Sequence, residues 1–439
     1  MIRLLLALAT AAAVPGVSRP ATAQSAPPGS PAIARSTSPA IAQSNRPAPS
    51  RDARPHDDSL TISLLTMGPG EQVWELFGHD AIWIHDETTH TDSVYNWGVF
   101  DASKPNFYVN FLRGLMLYTM EGTSLGDVLY AYRAANRTVW KQALDLTAGE
   151  KTAIRDFIRW NEQPQNAGYR YNYFTDDCTT RVRDVIDRAV GGAIHTQLAA
   201  EMTTATYRSN ALRLMQHYLP VLLVTGVDIG LGRPADHPLS AWEDSFLPVR
   251  FMVHARDVTL DHGARRLVGR ETVLMQGTRP PEPAAPPRLW TTLLPTGLLI
   301  AALIAMTVLA GARGRTWARI AAVVLVAIWA LSVGAVGTIL TFLWVATDHV
   351  AAHANENILL FNPLWLVVGV AIPFGLARGR VGGFARTAVG MAAGLVVIAL
   401  VLHLIALSRQ ANWPLIGLTL PPALAVAWAA SREQRPDPA

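Results

Sequence analysis

The only cysteine of this 439-residue chain, Cys178, stands in the polar stretch "YNYFTDDCTTRVRD". The residues that follow, "CTTRVRDVIDRAVGG", place apolar side chains on one stripe and end at two glycines, which predicts a helix that begins at the cysteine. The unpaired N–H groups and partial positive charge of a helix N-terminus lower the pKa of a thiol and favour the reactive thiolate. We therefore interpret Cys178 as a candidate nucleophile, with a buried structural cysteine as the alternative.

A nucleophilic thiol needs a base, and the best-placed histidine is His79, which precedes a predicted strand at 80–86. This strand alternates apolar and polar residues, and "SVYNWGVFD" (93–101) predicts a second strand that completes a hairpin. Taken alone, His79 fits a structural histidine better than a base. Its pairing with a cysteine at a helix start is what indicates the chemistry of a cysteine enzyme.

Other elements of a folded domain lie in residues 59–285. A strand is predicted at 59–68, "SLTISLLTMG", before a turn that contains Gly and Pro. Thr147 and Glu150 stand at capping-box spacing ahead of an apolar stripe, which predicts a second helix. We expect an α+β domain in which a small antiparallel sheet packs against helices.

The N-terminus predicts that this domain is exported. Residues 1–24 have the layout of a secretory signal peptide, with a basic start, an apolar run and a small-residue cleavage site. Residues 25–58 are rich in Pro, Ser and Ala, so they cannot bury enough apolar surface to offset the entropy of ordering. We therefore expect a disordered linker between the signal peptide and the domain.

The second half of the chain predicts an all-α membrane domain at 289–430. Its apolar runs are long enough, or nearly so, to cross about 30 Å of hydrocarbon. We predict five spans, at about 289–310, 317–345, 358–377, 387–407 and 413–430.

The charges of the connections predict the orientation of these spans. The first and third connections, "GARGRTWAR" and "RGRVGGFAR", carry three arginines each, whereas the second, "TDHVAAHANEN", has no Lys or Arg. Positive residues favour the cytoplasmic side, so the second connection is expected outside and residues 431–439 form a cytoplasmic tail. The arginines of these connections explain the net charge of +4, and we expect no nucleic-acid partner.

The motifs "ELFGHDAIWIHD", "VYNWGVFDASKPNFYVNFLRGLMLY", "YNYFTDDCTTRVRD" and "TDHVAAHANENILLFNPLWL" resemble the Lnb-type lipoprotein N-acyltransferase family. The resemblance covers about 65–430. It implies an exported α+β domain of permuted papain-like (NlpC/P60-like) fold, followed by an all-α membrane domain of five transmembrane helices. The histidine-then-cysteine order is similar to that of papain-like enzymes in which a Cys–His pair passes on an acyl group through a thioester.

The resemblance also implies roles for individual residues. Cys178 would be the nucleophile, His79 the base, and Asn96 the residue that orients the imidazole. Arg181 would position the substrate, and we expect it to pair with Asp184 or Asp101.

One position departs from the family pattern. Asp177 stands where the family usually has asparagine directly before the cysteine. A negative charge there raises the pKa of the thiol unless Arg181 offsets it.

The second external connection resembles a family block as well. We expect His349, Asn355 and Asn357 to help seat a lipid headgroup or the acceptor amine, and His349 is a second candidate for the catalytic histidine. Polar residues at this depth are equally typical of interfacial anchors.

These observations lead to a membrane-bound thiol acyltransferase at the periplasmic face of the inner membrane. The expected acyl donor is a phospholipid or a lipoprotein, and the expected acceptor is the N-terminal amine of a diacylated lipoprotein. No metal or other cofactor is expected. Two alternatives stay open: a papain-like cysteine peptidase or amidase of the cell envelope, and a non-enzymatic membrane assembly or sensor protein.

Overall fold

We describe a computed structural model, which covers residues 59–432. The predicted signal peptide (1–24), the predicted linker (25–58) and residues 433–439 lie outside the described residues. The strands are β1 (Leu60–Met67), β2 (His79–Asp86), β3 (Thr91–Val99), β4 (Leu117–Ser124), β5 (Val139–Leu144), β6 (Gly168–Arg170), β7 (Thr259–Leu260), β8 (Arg265–Arg266) and β9 (Val268–Met275).

Helices lie between these strands and form the whole of the C-terminal half. They are α1 (Phe107–Leu112), α2 (Leu125–Ala134), α3 (Ala148–Asn161), α4 (Pro164–Ala167), α5 (Cys178–Ala189), α6 (Ala193–Leu198), α7 (Tyr207–Met215), α8 (Val221–Gly230), α9 (Ala241–Asp244), α10 (Pro248–Ala255), α11 (Trp290–Ala312), α12 (Thr316–Ala346), α13 (Leu364–Ala377), α14 (Gly383–Leu404) and α15 (Trp413–Ser431). Short 3-10 turns lie at 73–75, 233–235, 261–263, 350–352 and 356–358.

The N-terminal domain is built on an antiparallel sheet of seven strands in the order β6-β4-β3-β2-β1-β5-β9. The predicted strand at 59–68 and the predicted hairpin are confirmed as β1, β2 and β3. The sheet is larger than predicted, because β4, β5, β6 and β9 also join it. The domain is therefore mixed α/β, as expected.

Both faces of the sheet are covered by helices. On one face, side chains of β2 such as Ile82 and Ile84 share an apolar core with Ile154 of α3 and Ile186 of α5. On the other face, Ala81 of β2 packs in a smaller cluster with α2. Successive residues of a strand point to opposite faces, so β2 presents alternate side chains to α5 and to α2.

The two helices that the sequence predicted begin where their caps indicate. The Thr147 hydroxyl accepts from the Glu150 N–H at 3.3 Å, and the Glu150 carboxylate accepts from the Thr147 N–H at 2.7 Å, which completes a capping box at the start of α3. Helix α5 ends before Gly191 and Gly192, whose positive φ angles of 68° and 83° stop the helix.

The C-terminal half contains four helices long and apolar enough to span a membrane, namely α11, α12, α14 and α15, within the residues described. The prediction of five spans is not confirmed. At the place of the third predicted span, 358–377, the structure has α13, a helix of only 14 residues. Such a helix is about 21 Å long, which is shorter than the hydrocarbon layer.

The residues before α13 explain the difference. Phe361 and Asn362 lie between apolar residues but are not helical, and both are buried in protein. A Cβ atom at Gly337 of α12 would lie 1.4 Å from the Phe361 carbonyl oxygen, so this close approach requires glycine. Non-helical backbone at membrane depth is tolerated where protein surrounds it.

Helix α8 fastens the N-terminal domain to the membrane domain. The side-chain amide of Asn357 donates to the Ile229 carbonyl at 2.9 Å, and that of Asn355 donates to the carbonyls of Ile229 at 2.9 Å and Gly230 at 3.1 Å. These carbonyls lie in the last turn of α8, where no intrahelical partner exists. Val224 of α8 joins the same apolar core as the membrane helices.

Helix α1 makes a second attachment, to the residues that directly follow α12. The Asp348 N–H donates to the Arg113 carbonyl at 2.8 Å, and the Asp348 carboxylate pairs with Arg170 at 2.8 Å. Gly114 has a positive φ of 77°, and a Cβ atom there would lie 2.7 Å from the Asp348 backbone. The second interhelical connection therefore contacts the N-terminal domain.

This contact predicts that Gly114→Ala destabilises the protein more than Gly191→Ala does. Both substitutions place alanine at positive φ, at a cost of about 1–2 kcal/mol. Only position 114 also meets backbone, because a Cβ at Gly191 has nothing within 4 Å. Thermal unfolding in detergent is expected to show a Tm several degrees lower for Gly114→Ala than for Gly191→Ala. Equal Tm values would show that the attachment contributes no stability.

Candidate active site

Cys178 is the first residue of α5 and is partly buried. The helix is capped by Asp177, whose carboxylate accepts from the Thr180 N–H at 2.8 Å, while the Thr180 hydroxyl accepts from the Asp177 N–H at 2.7 Å. The departure from the family asparagine is thus an N-cap, a position that Asn and Asp fill equally well. The N–H groups of Cys178 and Thr179 donate to no group within residues 59–432.

The sulfur of Cys178 lies at the end of β2, beside the peptide that joins His79 to Asp80. The Asp80 N–H donates a hydrogen bond to the sulfur. This N–H is free because the β2–β3 ladder begins one residue later, at the pair Ala81 and Asn96. The start of α5 also lies close to β3: a Cβ added at Gly98 would be in ordinary contact with the Cys178 Cβ, at 3.5 Å, and the φ of 89° is what favours glycine there.

His79 and Asn96 form the predicted pair. His79 Nε2 lies 3.1 Å from Asn96 Oδ1. An amide oxygen can only accept, so Nε2 carries the proton and Nδ1 keeps a lone pair. Within the described part of the chain the ring hydrogen-bonds only to Asn96, which leaves Nδ1 able to take a proton.

The imidazole of His79 is neutral at neutral pH. Burial, with a smaller contribution from the nearby Arg137 guanidinium, lowers its pKa to about 4, and the hydrogen bond to Asn96 opposes this in part. A neutral imidazole is the form that can act as a base.

The thiol of Cys178 is neutral as well, and here the expectation of a lowered pKa is wrong. Burial, with smaller contributions from the carboxylates of Asp177 and Asp80, raises its pKa to about 12. The Asp80 N–H and the Thr179 hydroxyl favour the thiolate but do not offset burial. The helix terminus carries only about half a unit charge, which is too little to balance loss of solvent.

Asp80 belongs to the site and was not found from the sequence. It is fully buried on the α5 face of the sheet, where the Thr66 hydroxyl donates to Oδ1 at 2.7 Å. Its Oδ2 has no hydrogen-bond partner among residues 59–432. Burial raises the pKa of Asp80 to about 7, against hydrogen bonds from Thr66 and Thr179. The signal was available: alternation along β2 places this carboxylate on the same face as Ile82.

The pairing predicted for Arg181 is wrong. Its guanidinium binds both carboxylate oxygens of Asp176, with Nη2 at 2.6 Å from Oδ2, and stacks 4.1 Å from the centre of the Tyr169 ring. Asp184 instead pairs with Arg183. Asp101 is exposed and accepts from the Ser103 N–H and hydroxyl at 2.9 and 2.6 Å. The expected positioning role of Asp101 therefore has no support in the contacts it makes.

An aromatic surface extends from the cysteine to the second connection. Tyr171 lies 4.0 Å from a Cβ placed on Gly98, and its ring stacks on Tyr118 at 4.5 Å. Tyr118 stacks on Phe100, which stacks on Phe107 of α1 at 5.1 and 5.7 Å respectively. The Tyr169 hydroxyl is buried nearby and has no hydrogen-bond partner in the part of the chain described.

His349 lies at the far end of this surface. Its ring stacks on Tyr173 with Nδ1 3.4 Å from the hydroxyl, and it hydrogen-bonds the carbonyls of Phe111 and Leu112 at the end of α1. The structure places the peptide between His79 and Asp80, not His349, beside the Cys178 sulfur.

Asn355 and Asn357, expected to position the substrate, are both buried. Their amides are bound to the end of α8, and Asn357 Oδ1 accepts from Asn412 at 2.7 Å. They join the two domains and do not line the aromatic surface. Within residues 59–432, no cluster of three His, Cys, Asp or Glu side chains could hold a metal ion.

Comparison with known families decides what this site belongs to. The Lnb N-terminal periplasmic domain matches residues 52–212, and the Lnb transmembrane domain matches residues 289–420. The chain belongs to the Lnb family. No curated protein and no solved structure matches it.

Membership in the Lnb family indicates a membrane-associated enzyme of lipoprotein processing, with a periplasmic domain and several membrane helices. Cys178, His79, Asp80 and Asn96 all lie in the part that matches the periplasmic domain. The connection that carries His349 lies in the part that matches the transmembrane domain.

The charge of Asp80 predicts a pH-dependent effect of Asp80→Asn on alkylation of Cys178. Above a pH of about 7 the carboxylate is ionised and raises the pKa of the thiol, so its removal lowers that pKa and speeds alkylation. Each unit by which the pKa falls makes the thiolate about tenfold more abundant. Below pH 7 Asp80 is protonated, and the two proteins are expected to react alike.

The measurement is the iodoacetamide rate from pH 6 to pH 9 for the native chain, Asp80→Asn and the control Asp101→Asn. The control removes an exposed carboxylate and leaves the rate unchanged. A ratio of Asp80→Asn to native rates that stays at one across this range would show that the Asp80 charge does not act on the sulfur.

Proposed function

We propose that this Lnb-family protein is a cysteine-dependent acyltransferase that moves a fatty acyl chain through a Cys178 thioester to an amine. The amine is the N-terminal amine of a diacylated lipoprotein. The observation that carries the proposal is the arrangement around the sulfur: a thiol at a helix N-terminus, against the strand that carries an Asn-oriented neutral histidine. Family membership supports the lipoprotein substrate.

In the first half-reaction, His79 Nδ1 takes the thiol proton as the sulfur attacks the ester carbonyl of a phospholipid or of a lipoprotein diacylglyceryl group. The carbonyl π bond breaks, and its oxygen becomes an oxyanion. The unused N–H groups of Cys178 and Thr179 are placed to hold that oxyanion. When the C–O bond breaks, the imidazolium gives its proton to the departing alcohol, and the thioester is left.

In the second half-reaction, the amine attacks the thioester carbonyl and His79 takes a proton from nitrogen. The C–S bond breaks, the thiolate regains a proton, and an amide is formed. Asn96 holds the ring in one orientation through both steps, because Nε2 stays bound to its amide oxygen. The same residue pair thus serves as base and acid in turn.

The proposed fold is permuted papain-like, and the proposed topology places the N-terminal domain outside the cytoplasmic membrane. The order of a strand-borne histidine before a helix-terminal cysteine supports the fold. The arginines that follow α11 and α13, and the lack of Lys and Arg between residues 347 and 357, support the orientation.

A peptidase or amidase would use the same Cys–His pair with water as acceptor. The close attachment of the site to the membrane domain, through α1 and α8, favours lipid-anchored substrates over soluble ones. A sensor with a structural cysteine would have no need for a histidine that Asn96 orients on the strand against which the cysteine lies.

The test is mass spectrometry of lipoprotein N-terminal peptides from a host that lacks N-acylation activity of its own. With the native chain, N-acylated peptides are expected; with Cys178→Ala they are expected to vanish. Equal acylation by both would mean that Cys178 is not the nucleophile. No acylation by either, with both folded in the membrane, would overturn the acyltransferase proposal and favour the amidase.

The same assay separates the roles of His79 and Asn96. His79→Ala removes the base and is expected to abolish acylation. Asn96→Ala leaves the base but not its orientation, so a decrease of about a hundredfold is expected. A full rate in Asn96→Ala would contradict the orienting role. Thr88→Ala, in the hairpin turn at the opposite end of the sheet, is the control and keeps the native rate.

A further inference from the structure

Helix α1 and the residue that begins β4 present an apolar surface with no protein over it in residues 59–432. Val109 is 52% exposed, Leu112 is 50% exposed and Leu117 is 70% exposed. The helix itself, "FYVNFL", contains no charged residue. Contiguous exposed apolar side chains on a folded domain are usually covered by a partner or a membrane.

The position of α1 relative to the membrane helices indicates what covers this surface. The hydrogen bond from Asp348 to Arg113 and the bonds of His349 to the carbonyls of Phe111 and Leu112 hold the end of α1 against the residues that follow α12. Helix α12 is a spanning helix that ends at Ala346. Helix α1 therefore lies beside the end of a helix that is long and apolar enough to span a membrane.

Exposed apolar side chains are also present at the end of α12 and just beyond it. Val345, in the last turn of α12, is 80% exposed, and Val350 is exposed beyond it. Trp344 next to it is a side chain typical of the membrane–water interface. The cations nearest α1 in sequence, Lys104 and Arg113, are exposed, as expected of residues that reach lipid phosphates.

We infer that α1 inserts into the headgroup–acyl boundary of the leaflet on the side of the N-terminal domain, and that phospholipid acyl chains reach Cys178 along the stacked rings of Phe107, Phe100, Tyr118 and Tyr171. The inference that α1 inserts depends only on the exposed apolar surface of α1 and on the attachment of α1 to the residues that follow α12. The route to Cys178 also rests on the proposed function. The faces of stacked aromatic rings offer an apolar path for acyl chains.

Insertion is tested with a single label, because Cys178 is the only native cysteine. In a Cys178→Ala background, Val109→Cys and Thr88→Cys are labelled with bimane in nanodiscs of phosphatidylcholine and phosphatidylglycerol that contain doxyl-labelled lipid. The label at position 109 is expected to be quenched by a shallow doxyl group and shielded from iodide. The label at position 88 is expected to be quenched by iodide and not by the doxyl group. Equal behaviour at the two positions would overturn the insertion.

The route is tested with Val109→Asp and Leu112→Asp, compared with Tyr130→Asp. Tyr130 is exposed on α2, away from the stacked rings. Acylation from membrane lipid is expected to fall at least tenfold in the two α1 variants and to stay native in Tyr130→Asp. Iodoacetamide should label Cys178 at the native rate in all three. Native acylation in the α1 variants would overturn the route.

The two tests also separate this inference from the proposed function. If the native chain acylates nothing while position 109 is still quenched by lipid, the insertion stands and the acyltransferase proposal fails. If the native chain acylates lipoproteins while position 109 is unquenched, the function stands and the insertion fails.

Discussion

The packing of α5 on the end of the sheet is the constraint on which the candidate site depends. Val182 and Ile186, both fully buried, fix the helix against β2, and its first residue lies close to β3 at Gly98. The register of the hairpin then sets the positions of His79 and Asn96 relative to each other. Because Ala81 faces Asn96, Asn96 lies diagonally across from His79 on the same face. A slip of one residue would turn Asn96 to the other face and separate the pair.

Burial has a second consequence, which concerns reactivity. It holds the pKa of the Cys178 thiol high and that of the His79 imidazole low, so the resting pair is neutral. The buried carboxylates of Asp80 and Asp177 add to this for the thiol. A neutral thiol is a poor nucleophile and is also slow to oxidise. The same low dielectric strengthens the attraction between an oxyanion and the free N–H groups of Cys178 and Thr179. These N–H groups therefore stabilise the negative charge that forms during the reaction.

Much of the fold and the central residues of the site could be predicted from the sequence. Period-two alternation gave β2 and β3, capping-box spacing gave the start of α3, and the two glycines marked the end of α5. Cys178 and His79 were found because each stands at the end of a strongly patterned element, and Asn96 was named through the family resemblance. The hydrogen bond between His79 and Asn96 is present in the structure, whereas the catalytic roles of these residues stay predictions.

The features that the sequence did not predict depend on distances between residues, which periodicity does not encode. Arg181 pairs with Asp176, which precedes the helix, rather than with the predicted Asp184 on the same helix. The thiol pKa is set by burial, which a count of neighbouring charges misses. Hydropathy measures how apolar a segment is and not whether it is helical, so the buried, non-helical Phe361 and Asn362 were assigned to the third predicted span.

The two attachments of the N-terminal domain lie at the end of the sheet where the site is. Strands β1, β2, β3 and β4 all have an end there, at Met67, His79, Val99 and Leu117. Helix α1 connects two of these ends and contacts Asp348, while α8 is held by buried asparagine amides. One attachment would leave the domain free to rotate about it. Two attachments fix the distance and the direction of Cys178 relative to the membrane helices. Separation of the buried asparagine amides from the end of α8 would break their hydrogen bonds, which is costly for buried polar groups. Such a fixed position favours the reaction of a nucleophile with a lipid-anchored ester, because the fold orients the thiol before the ester arrives.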